Sequence, residues 1–173
     1  MSYNVKLIPI TEDHTELIVK WKNSDHVKEQ VFNQSLVTHE THNYWLKNVV
    51  QKRLAFQFII IINNDLPVGS TFIKNIDYKN KKAEFGIFIG EHEYLGKGIG
   101  KIATKLTIDY AFEVMKLHKV YLYVFSKNVF AINAYLGAGF VKDGLLRHEI
   151  LLDTYYDVWI MSILETEWRE LLK

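Results

Sequence analysis

The chain reads as an α/β protein: a mixed sheet with helices on its faces. Three observations predict this. Residues 55–89 hold three apolar, strand-like segments in succession, with only short polar turns between them. From Ala83 onward, strand-like and helix-spaced segments alternate in the order strand, helix, strand, helix, strand. And 173 residues, 49% hydrophobic and 24% charged, have the size and composition of one globular domain, taken here as 1–173.

The elements follow in order. Val5 to Ile10 reads as a short strand closed by Pro9 and Thr11. Thr11 caps a helix running to Trp21, with Leu17, Ile18 and Trp21 on one stripe, and a further helical turn starts at Ser24. Thr38 caps a longer helix through Trp45 and Val49. Ala55 to Ile62 is a strand ending in the turn Asn63-Asn64-Asp65, Leu66 to Ile76 a second, and Ala83 to Ile89 a third. In that third strand Ala83, Phe85, Ile87 and Ile89 share one face, and Glu84, Gly86 and Phe88 the other. Ile99, Ala103, Leu106, Tyr110 and Val114 recur at helical spacing. Val120 to Phe125 is a buried-type strand, Phe130 to Leu136 a short helix, and Gly139-Phe140 opens the next strand. Ile150 to Leu152 and Tyr155 to Ile163 form a hairpin around Asp153-Thr154, before a closing helix from Leu164 to Leu172.

Composition excludes several kinds of chemistry. With no cysteine there is no disulfide, thiolate metal site, iron–sulfur cluster or cysteine nucleophile, and a reducing compartment suits the chain. Lys and Arg number 21 against 20 Asp and Glu, a net charge of +1, so no global field gathers nucleic acid. Met1 to Lys6 shows no basic segment followed by an apolar stretch, and no apolar run approaches the roughly 20 residues of a membrane span. The expectation is a soluble, cytoplasmic protein without a membrane partner.

The densest signal is Gly96-Lys97-Gly98-Ile99-Gly100-Lys101, between a strand and a long helix. Glycines there permit a tight turn and a close backbone approach, and the helix start adds free N–H groups and a positive dipole end. That is an anion site suited to phosphate or pyrophosphate. A Walker A loop ending on Lys101 would need glycine where Leu95 stands and a hydroxyl residue where Ile102 stands; a dinucleotide fingerprint would need a different glycine spacing. Neither matches. Taken alone, a glycine-rich start of a helix with no ligand is the other reading.

A second group is Asn128, Ala131, Tyr135, Gly139 and Phe140. Helix spacing puts Asn128, Ala131 and Tyr135 near one face, and Gly139 can close the helix in a left-handed conformation. Together, Ala83 to Gly100 and Asn128 to Phe140 resemble the two signature motifs of the Gcn5-related N-acetyltransferase (GNAT) family. Arg147 and Tyr155-Tyr156-Asp157-Val158 resemble its branch of ribosomal-protein, polyamine and amino-sugar acetyltransferases. The resemblance is close from Ala83 to the C-terminus and looser over the first 80 residues. It departs at Leu95, where the family often has Gln, Arg or Trp, so a side-chain phosphate contact there has no support, while backbone contacts need no particular side chain.

The resemblance implies a GNAT fold whose mostly antiparallel sheet splays between the fourth and fifth strands, with helices on both faces. It implies acetyl-CoA as cosubstrate, its pyrophosphate on the amides of Leu95, Gly96, Lys97, Gly98, Ile99, Gly100 and Lys101, its pantetheine along Phe88 and Ile89 and near Asn128. A small-molecule amine then attacks the thioester directly. Tyr135 corresponds to the family's phenol donor to the departing thiolate, the alternative being a ring that packs the helix on the sheet. Glu84, or Glu91, is the candidate base; each also reads as an ordinary solvated charge. Asn128 reads equally as a helix N-cap.

For the acceptor, Trp21, Asn33, Trp45, Arg147 and Tyr155 are the candidate contacts. The segment from Trp21 to Trp45 resembles bacterial 4-amino-sugar nucleotide acetyltransferases, so a nucleotide-linked amino sugar ranks slightly above a polyamine, then a protein N-terminus; a silent acyl-CoA-binding module is the non-enzyme alternative. His39 and His42 lack zincin spacing and a third ligand, so no metal is expected and a solvated helix face is the better reading. An exposed strand edge near the C-terminus leaves room for a homodimer.

Overall fold

A computed structural model describes residues 3–63 and 65–173. Asn64 of the expected turn and the N-terminal Met1 and Ser2 lie outside the described residues. Seven strands form one sheet in the order β1-β2-β3-β4-β5-β7-β6. They are β1 (Val5–Pro9), β2 (Phe56–Ile62), β3 (Leu66–Asp77), β4 (Lys82–Ile89), β5 (Lys119–Phe125), β6 (Val141–Leu151) and β7 (Tyr155–Leu164). All neighbours are antiparallel except β4 and β5, which are parallel.

Helices cover both faces. Alternation along β2 shows how. Ile60 packs on α4 (Ile99–Asp109) and Phe58, on the same face, meets Tyr110 just beyond it, while Ile59 and Ile61 pack with α1 (Thr15–Asn23), α2 (Asp25–Lys28) and α3 (His39–Trp45). The α4 side also carries α5 (Val129–Leu136) and α6 (Glu165–Leu171), whose Tyr135 and Trp168 join Phe85, Phe112, Leu122 and Met161 in the largest core. Because both faces of β2 are covered, the strand has no polar side: all but its first residue are buried.

The expected elements are present, with informative differences. Thr11 caps only a short turn, Glu12–His14, before α1 proper begins at Thr15. Thr38 caps α3 as expected, its hydroxyl accepting from the Thr41 amide at 3.2 Å. The strand opened after Phe140 and the first arm of the C-terminal hairpin are one strand, β6. A bulge makes this possible: Leu146 pairs with Val158 and Ile150 with Tyr156, so Arg147, His148 and Glu149 stand opposite the single residue Asp157. His148 takes a positive φ of 51° there, and its amide donates to Asp157 Oδ1 at 2.8 Å.

No described helix is long and apolar enough to cross a membrane.

Candidate active site

The parallel pair is where the sheet opens. Only three rungs join β4 and β5: Lys82 with Lys119, Ala83 with Val120, and Glu84 with Tyr121. Beyond Glu84 the strands part. β4 stays paired to β3 as far as Ile89, and β5 stays paired to β7 as far as Phe125. Each lip is therefore held from its outer side, while Phe85–Ile89 and Leu122–Phe125 have no ladder partner across the gap. Free strand edges with backbone donors and acceptors can take an extended amide-bearing ligand.

At the open end, β4 runs into the glycine loop. Gly96 and Gly98 sit at φ of 71° and 79°, the left-handed region where a side chain is strained. Space is not the reason for glycine: a Cβ at 96, 98 or 100 would meet nothing within 4 Å. Gly98 is the N-cap of α4 and no side chain caps the helix, which leaves first-turn amides facing that open space. Lys97 and Lys101 are exposed beside them. A free, positively poised backbone cradle next to two free strand edges fits a pyrophosphate followed by a pantetheine arm.

The second motif closes on the gap from the α4 side. Asn128 caps α5 by accepting from the Ala131 amide at 3.0 Å. Tyr135, 8% exposed, packs its ring on Phe85 and Phe140. Phe85 is the first β4 residue past the last rung, so Tyr135 stands at the apex of the opening. Burial alone pushes its phenol well above the usual tyrosine range, so the group stays protonated and available as a donor. Gly139 takes φ of 102°, and a Cβ there would run into Leu171.

The opposite face of the gap carries Glu84, Gly86, Phe88, Tyr121, Tyr123 and Phe125, by strand alternation from the α1-facing Phe88 and the Phe125 that meets Phe32. Glu84 accepts from Asn75 Nδ2 at 2.6 Å and pairs with Lys74 at 3.2 Å. Glu91 accepts from Lys20 Nζ at 2.7 Å and from Trp21 Nε1 at 2.8 Å. Those two donors hold its carboxyl below the usual range, which makes it a clamp between α1 and the end of β4.

Several expected acceptor contacts are elsewhere. Trp21 is 0% exposed: its ring lies against Phe88 and over Gly90, where a Cβ would stand 2.1 Å from it, so it packs as core. Trp45 is turned inward, its Nε1 donating to Gln57 Oε1 at 2.9 Å. Asn33 is exposed and accepts locally from the Ser35 amide at 3.0 Å. Arg147 belongs to the β6 bulge and lines an outer groove of about 600 Å³ with His148, Glu149 and Asp157, separated from the gap by β7. Tyr155 stacks on His148 at 5.3 Å.

His42 corrects the reading of its helix face as solvated. It is buried, its Nδ1 3.2 Å from Thr15 Oγ1, and burial with nearby Lys22 and His39 lowers its pKa to about 4. The described residues contain no cluster able to hold a metal ion.

Sequence reasoning also missed residues that the fold gathers near the open end. Phe32 meets Phe125 edge to face at 4.7 Å, Tyr156 meets Phe125 at 5.5 Å, and Lys127 Nζ lies 3.9 Å from the Tyr156 centroid. Towards the closed end instead, burial and then the nearby Lys74, which pairs with Glu84 of the last rung, lower the pKa of Lys22, which has no carboxylate partner among the described residues. Lys127 alone had a sequence signal, its place just before Asn128.

Comparison with known proteins agrees with this geometry. Residues 4–141 match the acetyltransferase (GNAT) domain family. Spermidine N(1)-acetyltransferase of Escherichia coli K12 is 28% identical over 155 residues, 90% of this chain and 82% of its own. The putative ribosomal N-acetyltransferase YdaF of Bacillus subtilis is 32% identical over 102 residues, 58% of this chain and 55% of its own. The crystal structure of spermidine N-acetyltransferase from Vibrio cholerae in complex with CoA and spermine superposes with a TM-score of 0.90 at 25% identity, covering 95% of this chain and 98% of that one. The parallel pair that splays after three rungs, the uncapped glycine loop and these likenesses converge: the chain belongs to the GNAT family and is an N-acetyltransferase that draws its acetyl group from acetyl-CoA.

Proposed function

We propose that the chain acetylates a primary amine of a small molecule by direct transfer within a ternary complex, and that a polyamine of the spermidine class is its acceptor. The observation that carries the acceptor is the likeness, along almost the whole chain, to enzymes named for spermidine. It ranks the polyamine above the nucleotide-linked amino sugar, reversing the order that the sequence suggested.

Acetyl-CoA supplies a thioester carbonyl to which the amine nitrogen adds; the new C–N bond forms as the C–S bond breaks. The chain's own groups do the rest. Amides of Gly96 to Lys101 hold the pyrophosphate, the expected Leu95 amide being already spent on the His92 carbonyl at 3.1 Å, and the free edge at Phe88 and Ile89 aligns the pantetheine and offers an N–H to the carbonyl oxygen. Tyr135 donates its O–H toward the departing sulfur. Burial keeps that phenol protonated, so its proton is available to the departing thiolate as the C–S bond breaks. The proton lost by the amine leaves by way of Glu84, the carboxylate on the last rung. We place the reaction in the cytoplasm, in keeping with a chain that has no cysteine.

One observation favours the amino-sugar nucleotide as a second reading. A polycation needs free carboxylates, yet Glu84 and Glu91 are already paired with Lys74 and Lys20, and Lys22 adds an ammonium with no carboxylate partner among the described residues. Thiol release from acetyl-CoA, measured with spermidine, spermine and a UDP-linked 4-amino sugar, separates the readings. A kcat/KM at least tenfold higher for spermidine supports the polyamine, and the reverse ratio supports the nucleotide sugar. Release with none of a wider amine panel would sink both.

A further inference from the structure

Acetyl-CoA has three parts, and the site above houses two, the pantetheine and the pyrophosphate. The adenosine end has no place yet. Among the described residues Phe130 is the most exposed large apolar side chain, at 89%. It lies in the first turn of α5, two residues past the N-cap Asn128. The helix buries Ile132 and Tyr135, and Phe130 falls on the opposite side. At 3.6 residues per turn it is about 20° in azimuth from Gly137 and about 10.5 Å from it along the axis.

Gly137 marks where that outer stripe meets the cofactor loop. The Cε and Nζ of Lys101 lie 3.3 Å from the point where a Cβ on Gly137 would stand. Lys101 belongs to the first turn of α4, above the uncapped amides. One stripe of α5 therefore carries an aromatic face at one end and a lysine ammonium at the other, with only the exposed Asn133 and half-buried Ala134 between. A phenyl ring surrounded by water gains from covering by a flat heterocycle, and the lysine matches the phosphates attached to it.

We propose that Phe130 is the stacking platform for the adenine base of CoA, with Lys101 on the phosphates at the far end of the same stripe. The proposal rests on acetyl-CoA as donor and not on the acceptor, so its failure leaves the acceptor assignment untouched.

Calorimetric titration of CoA and of phosphopantetheine, which lacks the adenosine, tests it. Phe130→Ala should weaken CoA binding about five- to tenfold and leave phosphopantetheine unchanged, and Phe130→Trp should restore CoA to the wild-type value. CoA binding unchanged in Phe130→Ala overturns the proposal. An equal loss for both ligands overturns it too, because the ring would then be acting on the loop and not on the base.

Discussion

Tyr135 and Phe85 meet edge to face, ring centroids 6.2 Å apart at 87°, at the rung where β4 and β5 separate. The contact ties the second motif to the first strand residue freed by the splay. It also means that the tyrosine ring has a packing role which phenylalanine can fill, so the hydroxyl can be tested alone. Tyr135→Phe should keep acetyl-CoA affinity within about twofold and lower kcat by about a hundredfold, the low end for a positioned proton donor. Thiol-release kinetics at saturating amine, set beside a direct binding titration, give both values. A wild-type kcat would return Tyr135 to the core and nothing more.

Glu91 and Glu84 divide on the same logic. Glu91 joins Lys20 and the buried Trp21 indole to the end of β4. Glu91→Gln should therefore cost about 1–2 kcal/mol of stability, from a charge-assisted bond to a buried donor, while kcat stays within threefold. Glu84→Gln should show the opposite balance: kcat falls at least tenfold, with a pH profile that shifts because the group taking the amine's proton has gone. Urea unfolding and pH–rate curves on the two variants decide between the carboxylates.

The local geometry of the candidate cofactor half was legible in the sequence because it depends on near neighbours. Gly96 and Gly98 announce positive φ by having no Cβ, and Asn128, Ala131 and Tyr135 lie on one helix. The acceptor half was not, because it is assembled across long separations. Trp21 reads as a ligand-binding aromatic until Gly90 and Glu91, some 70 residues away, are seen to enclose it. Phe32 and Phe125 come from different layers, and nothing in either segment signals their contact. The β6 bulge is likewise invisible in a strand pattern, since it depends on what stands opposite, in this case Asp157.

The glycines of the loop should separate by conformation. Gly98 needs φ of 79°, so Gly98→Ala strains the backbone by about 1–2 kcal/mol and should lower both Tm and acetyl-CoA affinity. Gly100 has an ordinary φ and open space around it, so Gly100→Ala should leave Tm unchanged. If the pyrophosphate packs against that backbone, the added methyl still weakens CoA binding by about tenfold or more. Thermal melts with and without CoA read both effects. A Tm loss for Gly100→Ala as large as for Gly98→Ala would remove the conformational argument.

His42 makes stability depend on pH in a stated direction. Thr15 gives its one hydroxyl proton to Asn43 Oδ1 at 3.0 Å, so Thr15 Oγ1 accepts from His42 Nδ1 and the buried Nε2 is left as a bare lone pair. Protonating it would place a charge in the core beside Lys22, which is why the folded pKa lies at about 4. The unfolded chain titrates near 6.5. Above that value both states are neutral and His42 adds no pH dependence. As pH falls from 6.5 to 4 the unfolded state takes up a proton that the folded state refuses, so stability drops, by an amount of about 2–3 kcal/mol over the window. Below pH 4 the folded histidine also protonates and the loss levels off. His42→Gln keeps a polar group of similar reach and removes the titration. Its unfolding free energy, measured in urea at pH 7.0, 5.5 and 4.5, should fall less steeply than that of the wild type, the two curves drawing together as pH drops. Parallel curves would mean that the histidine is protonated in the fold or reached by water.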